Sequence, residues 1–234
     1  MNTGDAVLPI LKTVPYFAEL DPAVLQTIAV RCRSKLIPAG QHVFMEGDPC
    51  LDLCILESGR VKFYRANAAG REQVLRVFDC AGDTFCICSA FSTGWHIVSA
   101  RAATETRLRL LDIDTVNRLV REHPPVGLKL LTIAGQHMAH LVGLAGDLAL
   151  KTATARLAKY LHELAVAEGA ARGAEIRISR DRLPEEELAS LLGTVRVHVS
   201  RSLTNLVRAG AIDVERGFIR IRDLSVLGRI SQGK

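Results

Sequence analysis

The sequence has 234 residues, of which 48% are hydrophobic and 24% are charged, and this composition excludes a disordered polymer. Residues 1–149 hold fifteen of the thirty Lys and Arg residues and fifteen of the twenty-five Asp and Glu residues. The net charge of +5 therefore lies entirely in residues 150–234. A local basic excess of this kind indicates a polyanionic partner, most simply nucleic acid, or else a solvated surface.

The sequence gives no sign of a membrane or export segment. Its first residues, MNTGD, lack the basic stretch and apolar run of a signal peptide. The apolar region 126–150 is interrupted by polar or charged residues, which excludes a membrane span there: Lys129, Gln136, His137, His140 and Asp147. We therefore expect a cytoplasmic protein.

The first predicted element is a short helix that begins near Asp21. The Asp21 carboxylate can accept hydrogen bonds from free backbone amides, and Pro22 suits the first helical position. Leu25, Ile28 and Ala29 have the spacing of one buried helical face.

Residues 34 to about 112 have the pattern of a β-structure. Short apolar or alternating runs recur there, such as 54–56, 61–64 and 74–78. Turn signals separate these runs, among them Pro38-Ala-Gly40 and Ala81-Gly-Asp83. Many short strands at regular spacing predict an antiparallel sandwich or roll.

After Pro124 and Pro125 the pattern becomes helical and long. One set of apolar residues advances in steps of four and three, as in a two-stranded coiled coil: Leu130, Ala134, Met138, Leu141, Ala145 and Leu148. We interpret this set as a dimer seam; the alternative is a single buried helix of a monomer. A second helix follows from Thr152 to about Ala167, and the segment 169–173 ends it.

The last part predicts a strand over 175–179, helices over 184–192 and 195–209, and a hairpin around Arg216-Gly217. Pro184 fits the first position of its helix. Gly193 permits a tight turn, and we expect Thr194 to cap the helix that follows it. This order is that of a winged helix-turn-helix.

The helix over 195–209 has the composition of a recognition helix. Val195, Val199, Leu203 and Leu206 are predicted to face inward. The outward set is polar or basic apart from one valine: Arg196, Val197, His198, Ser200, Arg201, Thr204 and Arg208. Arginines there can reach guanine edges or phosphates, and Val197 can contact a thymine methyl group. In the hairpin, Arg216, Arg220 and Arg222 are candidates for the DNA backbone; the alternative is an ordinary helix pair with a solvated basic face.

At this point the chain resembles the cyclic-AMP receptor protein/fumarate-nitrate regulator (CRP/FNR) family of bacteria. The likeness rests on residues 44–49 (FMEGDP), 54–64 (CILESGRVKFY), Gly82-Asp83, the hinge from Asp147 to Arg156 and the spacing of the helix-turn-helix. Arg196, Ser200 and Arg201 stand where members contact DNA. Val197 departs, since many members carry Glu there to recognise a C·G pair, so we expect a different operator.

The resemblance implies an α+β fold with an antiparallel β-roll sensor over 1–124, a dimerisation helix over 125–150 and a winged helix-turn-helix over 151–234. It also implies a homodimer on a pseudo-palindromic duplex and RNA polymerase as a partner. We expect no enzyme, because no activated nucleophile with a matching base stands out. A cyclic-nucleotide-responsive regulator and a non-enzymatic ligand-binding module are the alternatives.

The resemblance also bears on the effector. Cyclic-nucleotide members hold the phosphate with a Glu and an Arg after the Gly82-Asp83 turn, where this chain has Ile87 and His96. They also use hydroxyl residues on the long helix, where this chain has Leu141 and Val142. A phosphate needs an Arg or clustered amides, so we expect no binding of a cyclic nucleotide.

Three kinds of sensing stay open. The stretch Phe85-Cys86-Ile87-Cys88 resembles that of haem-binding, carbon-monoxide-sensing members, with Cys86 and His96, or His137 or His140, as candidate ligands. An iron–sulfur cluster is the second cofactor expectation, although the family's N-terminal cysteine cluster is absent. Thiol redox chemistry is the third. Cys86 could form a disulfide with Cys88, and Cys50 with Cys54, or a member of either pair could form one with Cys80.

The alternative to these three kinds of sensing is that the thiols are buried and inert, and that the roll binds a small apolar ligand or none. Trp95, the single tryptophan, is expected to fill the interior of the roll, and His42, His123 and His162 to lie at the surface. His137 and His140 lie on or beside the seam, and we expect them to be hydrogen-bonded core histidines.

Overall fold

The computed structural model describes residues 7–167, 169, 176–180 and 183–233. The chain divides into two compact units, one of residues 1–65 and 75–140 and one of residues 66–74 and 141–234. No helix within the described ranges is both long and apolar enough to cross a membrane.

The first unit begins with helices α1 (Leu8–Thr13) and α2 (Pro22–Arg31). The Asp21 carboxylate accepts a hydrogen bond from the Ala23 amide at 2.8 Å, so the predicted cap is confirmed. Leu25, Ile28 and Ala29 are buried as predicted.

Eight antiparallel strands lie mainly in this unit, although residues 66–74, which end one strand and begin the next, are grouped with the second unit. They are β1 (Arg33–Ile37), β2 (His42–Phe44), β3 (Asp52–Ser58), β4 (Val61–Ala66), β5 (Glu72–Phe78), β6 (Thr84–Phe85), β7 (Ser99–Ala102) and β8 (Thr106–Asp112). One sheet has the order β1-β8-β3-β6 and the other β2-β7-β4-β5. Buried residues of both sheets, such as Leu56, Phe85 and Ala100, share one core, which confirms the predicted roll.

Helices α3 (Ile87–Phe91) and α4 (Ile113–Glu122) also belong to the first unit, and α5 (Pro124–Leu150) begins in it and continues into the second unit from Leu141. The Asp112 carboxylate caps α4 by accepting from the Thr115 amide at 2.8 Å. On α5, Val126 and Leu130 are buried against α1, α2 and α4 in a second core of this unit.

The second unit contains α6 (Ala153–Ala167), β9 (Arg177–Ser179), α7 (Glu185–Leu192), α8 (Arg196–Arg208), β10 (Ile212–Glu215), β11 (Phe218–Ile221) and α9 (Leu224–Ser231). The strands form an antiparallel sheet of order β10-β11-β9. One apolar core joins all four helices to this sheet, with Leu157, Leu161, Leu206 and Leu227 fully buried. Glu175 of the predicted strand lies outside the described residues, as does most of the segment 169–173.

One arginine of the second unit connects the ends of two helices. The Arg156 guanidinium donates to the carbonyl of Leu192 at the end of α7 (2.8 Å) and to those of Lys151 (2.6 Å) and Asp147 (3.4 Å) at the end of α5. The Asp147 carboxylate in turn pairs with Lys151 and Lys159. The Asp147 carbonyl also accepts the Lys151 amide at 3.1 Å, whereas a helix end leaves carbonyls such as that of Leu192 without an intrahelical donor, and a guanidinium can satisfy several of them at once.

Candidate functional site

Helices α7 and α8 form a helix-turn-helix within the second unit. Gly193 ends α7 in a left-handed conformation, with φ of 62°, which glycine adopts without steric cost. Val199, Leu203 and Leu206 of α8 are buried, as predicted. Val195 was expected among them, but it is 44% exposed, because it precedes the first helical residue and keeps an extended backbone.

The expected capping role of Thr194 is wrong. Helix α8 begins at Arg196, and no side chain caps it. The Thr194 side chain is buried, and its hydroxyl lies 3.2 Å from Nδ1 of His198. Thr194 therefore positions the imidazole of His198 instead of binding a backbone amide. Pro184, expected as the first helical residue, stands one position before α7.

The outward face of α8 is exposed along three turns of the helix. Its members are Arg196, Val197, His198, Ser200, Arg201, Thr204 and Arg208. Val197 is 66% exposed in the middle of this set, and Thr204 donates its hydroxyl to the Ser200 carbonyl at 3.1 Å. This arrangement offers cations, hydroxyl groups and one apolar side chain to a partner.

Arg196 has acidic neighbours that the sequence did not reveal. Its guanidinium lies 3.5 Å from the Glu185 carboxylate and 3.7 Å from that of Glu186, both at the start of α7. Arg180 lies 3.2 Å from Glu185 as well. Glu185, Glu186 and Glu187 all lie in the first turn of α7, where carboxylates also complement the helix dipole.

The arginines of the β10–β11 hairpin and the residue after it differ in exposure and in their ion pairs. Arg216 is exposed at the turn. Arg220 pairs with Asp213 and Glu215, and Arg222 lies 3.4 Å from Asp213. Arg216 is thus presented by the hairpin tip, while the other two are bound to carboxylates of β10.

The apolar face of α5 differs from the predicted seam. Leu130 is buried in the core of the first unit and Ala134 packs against it, so these two are directed toward their own chain. Met138 is 68% exposed and Leu141 44% exposed, and Ala145 is exposed too, while Leu148 is partly buried. Leu131 and Val142, outside the predicted set, are 69% and 67% exposed. The exposed residues Leu128, Leu131, Gly135, Met138, Val142, Ala145 and Ala149 follow the three-four spacing of a coiled-coil seam.

In the first unit, three cysteines and a histidine converge inside the roll. Cys50, Cys86 and His96 are buried, and their ligand atoms all lie within 4.8 Å of one another. Sγ of Cys86 is 3.9 Å from Nδ1 of His96 and 3.9 Å from Sγ of Cys54. The sequence predicts Cys86 with Cys88, and Cys50 with Cys54, as possible redox pairs, and it gives no sign that Cys50 lies close to Cys86.

The neighbours of these thiols change their acidity in opposite directions. Interaction with Cys86, followed by that with His96, lowers the pKa of the Cys50 thiol below its ordinary value despite burial. Burial raises the pKa of the Cys86 thiol, and so do the neighbouring Cys50 and Cys54 sulfurs.

The remaining sensor candidates are dispersed. Cys80 and Cys88 are exposed, whereas Ile87 is buried in the first unit's second core. The His137 ring packs edge-on to Phe78 at 6.0 Å, and burial, then Arg76 and His140, lowers the pKa of His137 to about 4. His140 Nε2 lies 2.9 Å from the Leu75 carbonyl. The expectation for Trp95 is wrong: it is 54% exposed at the end of a loop, while Phe44, Phe63, Phe78 and Phe85 occupy the interior.

The geometry around Cys86 and His96 bears on the haem expectation. Both side chains are buried, and the His96 ring stacks on Phe44 at 3.5 Å. A porphyrin between them would have to displace this ring and the aromatic packing behind it. As arranged, these residues do not fit a haem; they fit a compact ligand.

Comparison with known proteins gives matches to both units. The cyclic nucleotide-binding domain matches residues 34–123, and the Crp-like helix-turn-helix domain matches residues 155–230. The chain is 30% identical to the CRP-like cAMP-activated global transcriptional regulator of Mycobacterium tuberculosis, over 94% of this chain and 97% of that protein. It is 27% identical to the cyclic AMP receptor protein of Thermus thermophilus, over 95% and 99%. A solved structure of a CRP/FNR-family regulator from Eubacterium rectale superposes with a TM-score of 0.73 at 20% identity, over 94% of this chain and 99% of that one.

Proposed function

This chain belongs to the CRP/FNR family of DNA-binding transcription regulators, and on that premise we propose that it acts as a homodimer on a pseudo-palindromic duplex, under the control of a signal received at the β-roll. One observation carries the proposal: the outward face of α8 presents Arg196, Val197, Ser200 and Arg201 together on a helix whose opposite face is buried. A helix of this kind fits the major groove.

The proposal assigns a separate role to each residue that contacts or supports the contact with DNA. Arg196 and Arg201 bind guanine edges or phosphates, and Ser200 binds a phosphate. Val197 contacts a thymine methyl group. His198 and Thr204 flank the contact, the buried Thr194 holds the His198 ring in position, and Arg216 at the hairpin tip binds the DNA backbone.

The homodimer is proposed to form through the exposed stripe of α5. Leu131, Met138 and Val142 are large apolar side chains that are about two-thirds exposed. Packing such a stripe against its symmetry mate removes apolar surface from water. The pair then presents two α8 helices about one DNA turn apart, and RNA polymerase is the proposed partner at the promoter.

The signal is proposed to be a small effector or a redox change rather than cyclic AMP. Ile87 and His96 take the places where the resemblance expects a Glu and an Arg, and both are buried. Neither side chain supplies the guanidinium or amide cluster that a phosphate needs. The signal shifts the two α5 helices against each other and so sets the separation of the α8 helices.

A cyclic-nucleotide-responsive regulator is the second candidate. It is favoured by the identity to the M. tuberculosis regulator, whose name describes it as cAMP-activated. Calorimetric titration with cyclic AMP separates the two: heat of binding that saturates at one nucleotide per chain supports the second candidate, and its absence supports the first.

The test of the DNA-binding role replaces Arg201 by Ala. We expect specific binding to a selected operator to fall to the level of non-specific binding, with the dimer intact in sedimentation. Arg229→Ala is the matched control, because Arg229 is an exposed arginine of α9 in the same unit. Operator affinity that survives in Arg201→Ala would refute the assignment of α8 to the major groove.

A further inference from the structure

We propose that Cys50, Cys86 and His96 form a binding site for one thiophilic divalent metal ion, with Zn²⁺ as the representative. The proposal concerns the first unit alone and does not rest on the DNA-binding role proposed above.

The distances between the Cys50, Cys86 and His96 ligand atoms are slightly longer than those in a metal-bound site. Two thiolates on a tetrahedral Zn²⁺ stand about 3.8 Å apart, given Zn–S bonds of about 2.3 Å. The Cys86 sulfur is 3.9 Å from Nδ1 of His96, and the Cys50 sulfur lies within 4.8 Å of both atoms. Shifts of about an ångström, within the reach of side-chain rotations, place all three on one ion.

The backbone holds two of the three ligands in place. Cys50 donates its amide to the Gly94 carbonyl, and His96 donates its amide to the Asp48 carbonyl, each at 2.8 Å. Pro49 and Trp95 form an antiparallel bridge between these hydrogen bonds. The loop before β3 and the loop before β7 therefore carry Cys50 and His96 as one unit, which reduces the entropy lost on binding.

The third ligand stands at an unusual backbone position. Cys86 has a φ of 77° and is the one non-glycine residue with positive φ among the described parts of the chain. Such a conformation is strained for a residue with a Cβ atom, and strained residues of this kind are concentrated at functional sites. Cys86 directly follows β6. Because Phe85 of β6 pairs with Cys54 of β3, the Cys86 sulfur lies next to that of Cys54.

The surroundings favour a soft cation. Thiolate and imidazole ligands select zinc-like ions, whereas Mg²⁺ and Ca²⁺ prefer oxygen ligands. Phe44 stacks on the His96 ring at 3.5 Å and fixes its orientation. Cys54, whose sulfur is 3.9 Å from that of Cys86, is a candidate for a fourth ligand, so the proposed centre either closes as Cys₃His or keeps one open position.

The proposed step balances without an oxidant. Each thiol that is protonated before binding transfers its proton to solvent, and the sulfur then donates an electron pair to the metal. A disulfide between two of these cysteines would release two electrons to an acceptor, and its formation is therefore an outcome of the test rather than part of the proposal.

The experiment uses the full chain, stripped of metal with a chelator under reducing conditions. After dialysis against limiting Zn²⁺, we expect about one ion per chain by elemental mass spectrometry. With Co²⁺ we expect a thiolate-to-metal charge-transfer band. The variants Cys50→Ser, Cys86→Ser and His96→Gln should each weaken binding by more than the ~10–100-fold that the loss of an outer-shell partner causes.

Cys88→Ser is the matched control, because Cys88 is exposed and stands two residues from Cys86. It should bind Zn²⁺ as the parent chain does. Alkylation of Cys50 and Cys86, followed by peptide mass spectrometry, tests the same site without a variant. Zn²⁺ should slow the alkylation of these two thiols and leave that of Cys88 unchanged.

Three results would overturn the proposal: a reduced chain that retains no Zn²⁺, equal binding by Cys50→Ser and Cys88→Ser, or alkylation of Cys50 and Cys86 that Zn²⁺ does not slow. A Cys50–Cys86 or Cys54–Cys86 disulfide in a protein that binds no metal when reduced would show that the cluster is a redox pair. Duplex binding at low ionic strength is measured separately, so its loss would contradict the DNA-binding role and not the metal site.

Discussion

Arg196 at the start of α8 lies 3.5 Å from the carboxylate of Glu185 at the start of α7. On the outward face of α8, the Arg196 cation therefore lies beside the Glu185 carboxylate in the unbound protein. A phosphate near Arg196 would also come near Glu185, which opposes binding.

Replacing Glu185 by Gln is expected to strengthen duplex binding about two- to tenfold at low salt, because the variant removes a negative charge without changing the shape of the side chain. Fluorescence anisotropy across a salt series measures this. Glu163→Gln on α6 is the control, since Glu163 is likewise paired with a basic side chain, that of Lys159, but lies outside the helix-turn-helix. Equal affinities of Glu185→Gln and the parent chain would show that the pair does not oppose binding.

Val197→Glu is expected to change the operator rather than abolish binding. A carboxylate accepts a hydrogen bond from cytosine N4, whereas the valine fits a thymine methyl group. Selection from a random duplex library should therefore shift one position per half-site from T·A to C·G. An unchanged selected sequence would argue against the methyl contact.

Met138→Glu is expected to weaken the dimer by at least about tenfold, because each glutamate would be buried near its mate without a partner. Sedimentation velocity over a range of concentrations measures the shift. Gln136→Glu, also exposed on α5 but away from the apolar stripe, should leave association unchanged. A Met138→Glu chain that stays dimeric would place the interface elsewhere.

His137 is expected to make folding stability depend on pH. Its pKa in the folded chain is about 4, below the ordinary value of 6.5, so between these values the unfolded chain binds a proton that the folded chain excludes. Stability therefore falls as pH decreases from about 6.5 to 4. Because His137 is only half-buried, we expect a loss on the order of 1 kcal/mol.

Urea unfolding midpoints at several pH values test this, and His137→Gln should lose less stability over the same range. His198→Gln, which alters an exposed histidine of the second unit, should behave as the parent chain does. A parent chain and a His137→Gln chain with the same pH profile would contradict the assignment.

Sequence patterns located the elements that local periodicity defines. The helix over Pro22–Arg31, the strands of the roll and the helix-turn-helix followed from spacing, turn residues and caps. Val195 and Thr194 were misassigned because α8 begins at Arg196, one residue later than the sequence predicts. Helix ends are uncertain by one or two residues when they are inferred from sequence. Leu130 was misassigned because a helix can bury one stripe in its own unit and leave another exposed, which periodicity alone does not separate.

The contacts between distant segments could not be predicted. Cys50 and His96 are forty-six positions apart, and only the pairing of their loops brings them together. Arg196 and Glu185 meet because the turn at Gly193 brings the start of α8 near the start of α7. A single sequence contains both partners of each pair, but it does not contain the distance between them.

Arg156 makes the ends of α5 and α7 mechanically dependent on each other. Its planar guanidinium holds the carbonyls of Leu192, Lys151 and Asp147 at nearly fixed separations, and a rigid fork of N–H donors tolerates little change in those separations. If α5 rotates or unwinds at its last turn, the carboxyl end of α7 must follow or lose its donor. A lysine at position 156 would keep the charge but allow the two ends to move independently.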